Sequence, residues 1–192
     1  YMATALRTYN NLPLVLPPEE QEKILEYCEK GYELAKKVGD VGHQSWIGIQ
    51  LAFRSVGMGN VARTITLADE SVALDTKVAN LPNLALSKGA LGLAYVLLGE
   101  WDKGEQFIKE ALSISEKLNQ WQQITGNYWQ LAWLSLVRGE FSRALEFLEK
   151  MNAVYDSVGA KYDKMVDSIL LVDVYLELGE IGKAESLFDR LE

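Results

Sequence analysis

Four glycines, Gly59, Gly99, Gly139 and Gly179, follow one another at a constant interval of 40 residues, and the residues around them keep the same phase. Gly99-Glu100-Trp101 lies over Gly139-Glu140-Phe141 and Gly179-Glu180-Ile181. Five residues past each glycine stand Gly104, Ala144 and Ala184, and then the apolar pairs Phe107-Ile108, Phe147-Leu148 and Leu187-Phe188. A fixed period of this size marks a chain made by stacking one supersecondary unit, because each unit buries its apolar face only on its neighbours. The broad role that goes with such an array is a binding surface.

Within each period, two apolar patterns of helical spacing are separated by the glycine. In the third unit Leu84, Leu91, Ala94, Tyr95 and Leu98 mark one helix, and Trp101, Gly104, Phe107, Ile108, Ala111 and Leu112 mark a second. Gly99 stands between them, where a positive φ costs glycine little. The small residues Gly104, Ala144 and Ala184 fall where two antiparallel helices must come close. The pattern predicts helix pairs at 1–12 with 19–37, 43–57 with 60–77, 82–98 with 101–118, 121–138 with 141–157, and 162–178 with 181–192. Turn signals between units recur at Gly39-Asp40, Asn80 with Pro82, Asn119-Gln120 and Gly159. The first unit is irregular, since Pro13 to Pro18 replaces the single-glycine turn. Pro18 followed by Glu19 and Glu20 is a sound helix start. The expected fold is all-α: a right-handed superhelical α-solenoid of about five hairpins. It forms one domain over 1–192 with repeats 1–40, 41–80, 81–120, 121–160 and 161–192.

The chain carries 19 Lys and Arg against 27 Asp and Glu, a formal net charge of −8. With no basic run longer than Lys36-Lys37, it is ill suited to holding nucleic acid phosphates, and no direct nucleic acid contact is expected. Its single cysteine, Cys28, excludes an internal disulfide and suits a reducing cytoplasm. No apolar run approaches the ~18 residues that a membrane span needs, so no membrane contact is expected. Tyr1-Met2-Ala3 opens inside one helical pattern and Leu191-Glu192 closes inside another. The chain therefore reads as a segment of a longer protein.

The usual catalytic signatures are missing. There is no glycine-rich phosphate loop, no Cys/His spacing for a metal and no nucleophile–histidine arrangement, and neither enzymatic activity nor a cofactor is expected. His43, the only histidine, shares phase with Asn83, Gln123 and Asp163 at helix starts, which suits an exposed or capping side chain. Cys28 shares phase with the apolar Ala68, Ile108, Leu148 and Phe188 and is expected to be buried. Glu100, Glu140 and Glu180 follow turn glycines as solvated turn residues. Trp101, Phe141 and Ile181, just past the turns, are expected to pack.

The run Leu91-Gly92-Leu93-Ala94-Tyr95, then Gly99, Trp101, Gly104, Ile108 and Ala111, resembles a tetratricopeptide repeat. Leu131-Ala132 with Gly139, Phe141, Ala144 and Leu148 gives the same run. Leu171, Tyr175, Gly179, Ile181, Ala184 and Phe188 give it again. The match covers residues 41–192 and reaches 1–40 by phase only. Two departures stand out: the period is 40 residues rather than about 34, and the family's proline after the second helix is absent. Forty-residue variants with turns such as Lys37-Val38-Gly39-Asp40 resemble the sensor regions of signal-transduction ATPases such as the maltose-responsive transcription activator.

The resemblance implies that the first helix of each pair lines a concave binding face. By phase that face holds Tyr9 and Asn10; Trp46, Ile49, Gln50 and Phe53; Leu86, Gly89 and Leu93; Trp129, Gln130 and Trp133; and Ile169 and Asp173. Trp129 and Trp133, four residues apart, share one side of a helix. They suit a ligand platform or the core, and both readings stay open. Asn10, Gln50 and Gln130 share one phase, and such amides can pair with a peptide backbone or with polar ligand groups. The expected function is protein–protein interaction or ligand sensing within a larger signalling or transcription-regulating ATPase. The alternative is a free-standing scaffold that holds a peptide or helix of a partner. Expected partners are a protein, a peptide or a small-molecule inducer, with self-association left open.

Overall fold

The computed structural model describes residues 21–160 and 168–189. The expected helix 1–12, the Pro13–Pro18 loop and residues 162–167 of the last hairpin lie outside the described residues. The described chain consists of α1 (Gln21–Val38), α2 (Val41–Gly57), α3 (Val61–Val78), α4 (Leu81–Leu97), α5 (Trp101–Lys117), α6 (Trp121–Val137), α7 (Phe141–Val158), α8 (Ile169–Glu177) and α9 (Ile181–Phe188). No strand occurs among the described residues. The helix breaks fall in phase with the glycines, as the period requires.

Both turns of the repeat are built on one left-handed residue. Gly59, Gly99, Gly139 and Gly179 have φ between 72 and 79°. The amide of the next residue then reaches back to close the helix end: Asn60 N–H to Ser55 O at 2.8 Å, Glu100 to Tyr95 at 2.9 Å, and Glu140 to Ser135 and Glu180 to Tyr175 at 2.8 Å. The turns between hairpins do the same at Gly39 (φ 73°) and Gly159 (φ 72°), but Ala79 (φ 54°) and Asn119 (φ 52°) hold the equivalent places. The sequence signal at 80 was Asn80 with Pro82; the strained residue is its neighbour Ala79. Helix starts differ along the chain. Asp40, Asn60 and Asn80 cap α2, α3 and α4 through bonds to His43 N, Arg63 N and Asn83 N, whereas Gln120, Glu140 and Glu180 make no side-chain cap bond. Glu140 pairs instead with Arg143 at 2.7 Å, one turn along.

Contacts group the chain into two units, Tyr1–Phe107 and Ile108–Glu192. In the first, α1 packs on α2, α2 on α3 and α3 on α4, and the first helices of successive repeats, α2 and α4, also touch. Its core holds Ile24, Cys28, Tyr32, Ile47, Leu51, Ala68 and Leu91, with Trp46, Phe53, Tyr95 and Phe107 against it. The α4–α5 contact is tight: a Cβ built on Gly104 would lie 2.7 Å from Val96 Cγ2 and 2.9 Å from the Gly92 carbonyl oxygen. In the second unit α6 packs on α7, α7 on α8 and α8 on α9. Its core is Ala132, Ala144, Leu148, Met151, Tyr155, Leu171 and Val174.

The 40-residue phase is visible in individual contacts. Cys28, Ala68, Ile108 and Leu148 are all buried, as expected. Lys88 lies over the ring of Phe107 in the first unit, and forty residues on, Tyr128 stacks on Phe147 in the second. Phe188 departs from its phase and is 55% exposed. Two expected packing residues are also exposed, Trp101 at 38% and Ile181 at 58%. Both occupy the first position of a helix at a hairpin tip, where one flank faces solvent; Phe141, in the same phase, is half-buried.

Candidate functional site: the first helices of the repeats

In the first unit the candidate side chains lie on α2 and α4. Trp46 and Phe53 are half-buried and rest on the core, with part of each ring left for contact. Gln50, between them in sequence, is half-buried, as are Leu86 and Leu93 on α4. Ile49 is a correction: at 2% exposure it is a core residue and offers no surface to a partner. The cause is its place one residue before Gln50, on the flank of α2 that turns inward. Gly89 is buried as well. Tyr9 and Asn10 lie outside the described residues.

In the second unit the rings of Trp129 and Trp133 stack on α6, with centroids 6.4 Å apart and planes 9° from parallel. Both are half-buried and rest against the core of this unit. Gln130 is 9% exposed, and its Oε1 has no hydrogen-bond partner. A buried amide oxygen left without a donor is unfavourable by itself. On α8, Asp173 and Ile169 are exposed. The amide series is thus split: Gln50 belongs to the first unit and Gln130 to the second, with the apolar Ala90 between them in phase and Leu170 after them.

The ionisable groups offer little for catalysis. Burial pushes the Cys28 thiol up, against the opposing effect of Arg54, which disfavours the nucleophilic thiolate. His43 is held at the start of α2, its Nδ1 3.0 Å from Asp40 Oδ2. The His43 backbone N–H, donated to the Asp40 carboxylate, is the main cause of holding that carboxyl below its ordinary range. Among the described residues no group of three or more His, Cys, Asp or Glu is arranged to hold a metal ion. No helix among them is long and apolar enough to cross a membrane.

Two polar joints between helices escaped the sequence reading, one part-buried and one fully buried. Glu70 on α3 accepts from the Tyr32 hydroxyl of α1 at 2.6 Å and from the Gln44 amide of α2 at 2.8 Å. Asp75, near the end of α3, is 0% exposed and accepts from the Ser45 hydroxyl at 2.6 Å. A signal existed for the second: Asp75 shares phase with Ala35, Ser115 and Tyr155, so a carboxyl stands at a position the repeat otherwise buries.

The chain matches no protein-family model and no curated protein sequence. Its fold does match solved structures. A kinesin light chain of Podospora anserina with nearly identical TPR-like repeats superposes with a TM-score of 0.67 at 17% identity, over 99% of this chain and 90% of that one. A signal transduction ATPase with numerous domains from Pyrococcus horikoshii, which carries a tetratricopeptide repeat sensor, gives 0.70 at 15% identity over 100% of this chain. A Rap protein complexed with competence and sporulation factor gives 0.65 at 12% over 99%. The fold is tetratricopeptide-like. The chain spans 30% of the ATPase and 63% of the Rap protein. A tetratricopeptide-like hairpin normally closes in about 34 residues. Here α2, α4 and α6 have 17 residues each, and α3 and α7 have 18, so the longer period is taken up in the helices themselves.

Proposed function

We propose that this chain is a non-catalytic binding module, acting in protein–protein interaction or ligand sensing within a larger cytoplasmic signalling or transcription-regulating ATPase. The observation that carries the reading is the half-exposed Trp129–Trp133 stack, with the buried and unpartnered Oε1 of Gln130 on the same helix. Aromatic anchors of this kind supply most of the contact energy in an interface, and an amide oxygen in want of a donor fixes where an N–H must fall. Trp46, Gln50, Phe53 and Leu93 are the candidate contact residues of the first unit taken by itself, and Asp173 is a further one of the second. A protein segment, a peptide or a small-molecule inducer with N–H groups suits these residues. The shared fold with a protein bearing a tetratricopeptide repeat sensor supports the sensor reading, and that with a Rap protein complexed with a factor supports a peptide. The buried thiol and the engaged histidine speak for a non-catalytic role, and the net charge of −8 against nucleic acid.

A free-standing scaffold that holds a partner's peptide or helix is the second reading. It is supported by the shared fold with a kinesin light chain of TPR-like repeats.

The test is selection of peptides from a display library on the 192-residue chain, followed by titration of the selected peptide. Trp129→Ala with Gln130→Ala should weaken binding by more than about tenfold at unchanged helicity, in line with the loss of one aromatic anchor. Unaltered affinity in the folded variant would place the site elsewhere, and an unfolded variant would assign both residues to the core.

A further inference from the structure

The repeat brings the last turn of each second helix against the first turns of the next first helix. Two successive joints of this kind are polar and buried, but their chemistry differs. At the α5–α6 joint the buried groups are neutral: the Ser115 hydroxyl has the Ala111 carbonyl oxygen at 2.9 Å and Gln123 Oε1 at 3.2 Å as acceptors and accepts from Asn127 Nδ2 at 3.4 Å, while the carboxylate of Glu116 meets the Tyr128 hydroxyl at the exposed rim. Forty residues earlier, at the α3–α4 joint, the place of Ser115 is taken by the carboxyl of Asp75, that of Gln123 by Asn83 and that of Asn127 by Ser87.

Asp75 is 0% exposed. Its Oδ2 accepts from Ser45 Oγ of α2 at 2.6 Å, Asn83 and Ser87 of α4 are its other polar neighbours, and Oδ1 has no hydrogen-bond partner. No cation faces it. On α2, His43 is engaged with Asp40 and Arg54 acts on Cys28. On α4, Lys88 lies over Phe107, and Tyr95 stacks on the same ring. On α3 itself, Arg63 pairs with Glu29 of α1 and Glu70 is held by Tyr32 and Gln44, while Asp69 and Lys77 are exposed. From α1, Lys36 reaches Glu70. Burial therefore pushes the Asp75 carboxyl above its ordinary range, and three neutral donors only partly oppose it. An ionised carboxyl in such a place is stabilised by reaching water, which it attains only if the joint opens.

We propose that the Asp75 joint is a proton-dependent latch between the α2–α3 hairpin and α4, closed while Asp75 is a neutral acid and loosened when its proton passes to solvent. The latch governs how firmly α4, with Leu86 and Leu93, is held to α2, with Trp46, Gln50 and Phe53. It stands whether or not those side chains bind a ligand. The Ser115 joint is the same device without the proton.

Hydrogen exchange on the 192-residue chain between pH 4 and pH 8, corrected for the intrinsic rate, tests this. Protection of the amides of residues 75–90 should fall by more than about threefold as pH rises, because the open form binds fewer protons. Protection of residues 115–130 should stay flat. Asp75→Asn should abolish the fall, and Asp75→Ser, which copies the Ser115 joint, should do the same if the asparagine variant does not fold. Equal pH dependence at both joints of the wild type, no pH dependence at either, or a fall that persists in the folded variants would overturn the latch.

Discussion

Gly104 of α5 lies against the carbonyl of Gly92 on α4, so close that a Cβ at residue 104 would stand 2.9 Å from that oxygen and 3.0 Å from the Val96 nitrogen. Both obstacles are backbone and cannot turn aside. Alanine is the better helix former by about 1 kcal/mol, yet Gly104→Ala should lower stability, because two helices must separate to admit the methyl group. The net loss should be about 1–2 kcal/mol, within the range of overpacked cores. Urea titration decides it: a gain in midpoint would mean that the α4–α5 contact is looser than described.

Ala79 is held at φ 54° at a turn where Gly39 and Gly159 occupy the equivalent places. A left-handed conformation costs a residue with a Cβ about 1–2 kcal/mol. Ala79→Gly should therefore raise the melting temperature in spite of the added freedom of the unfolded chain, with a net gain of up to about 1 kcal/mol. The mirror change Gly39→Ala should lower it.

The Tyr32 hydroxyl donates to Glu70, and burial is the main cause that raises the phenol well above its ordinary range. Tyr32→Phe should cost about 1–2 kcal/mol, as for a bond to a charged acceptor. The sign with pH follows from an acid weaker in the folded state. The advantage of Tyr32 over phenylalanine is complete below the free phenol's value of about 10 and shrinks as pH rises above it. Paired thermal melts from pH 8 to pH 11 would show the gap closing; a gap that widened would contradict the hydrogen bond.

Asp40 behaves in the opposite sense. Its carboxyl is lowered chiefly by the His43 backbone N–H at the start of α2. Its stabilising effect is present above the unfolded value of 3.8 and is lost as pH falls through the lower folded one. Asp40→Ala should cost about 1 kcal/mol at pH 7 and less at pH 3. Asp40→Asn should keep the cap, as Asn60 and Asn80 do, with little pH dependence. Urea midpoints at the two pH values separate these outcomes.

The repeat period determined the helices. A helix ends where a left-handed residue is cheap, and Gly59, Gly99, Gly139 and Gly179 announce such points locally, without reference to any distant contact. Burial at Cys28, Ala68, Ile108 and Leu148 was legible for the same reason, since one apolar phase repeated in register must face the neighbouring unit. Tertiary structure alone decided what happens where phase and neighbourhood disagree. Ala79 accepts strain because the turn geometry is imposed by the helices on either side, not by its own preference. Trp101 and Ile181 are exposed because packing at a hairpin tip depends on what lies across from it. Ile49 left the candidate surface and Gln130 became a buried acceptor because a 3.6-residue period does not specify which flank of α2 or α6 meets the neighbouring helices. The carboxyl joints at Glu70 and Asp75 were hidden for a further reason: a carboxyl reads as solvated in sequence, and only partners 26 to 38 residues away, Ser45, Gln44 and Tyr32, tie it to the neighbouring helices.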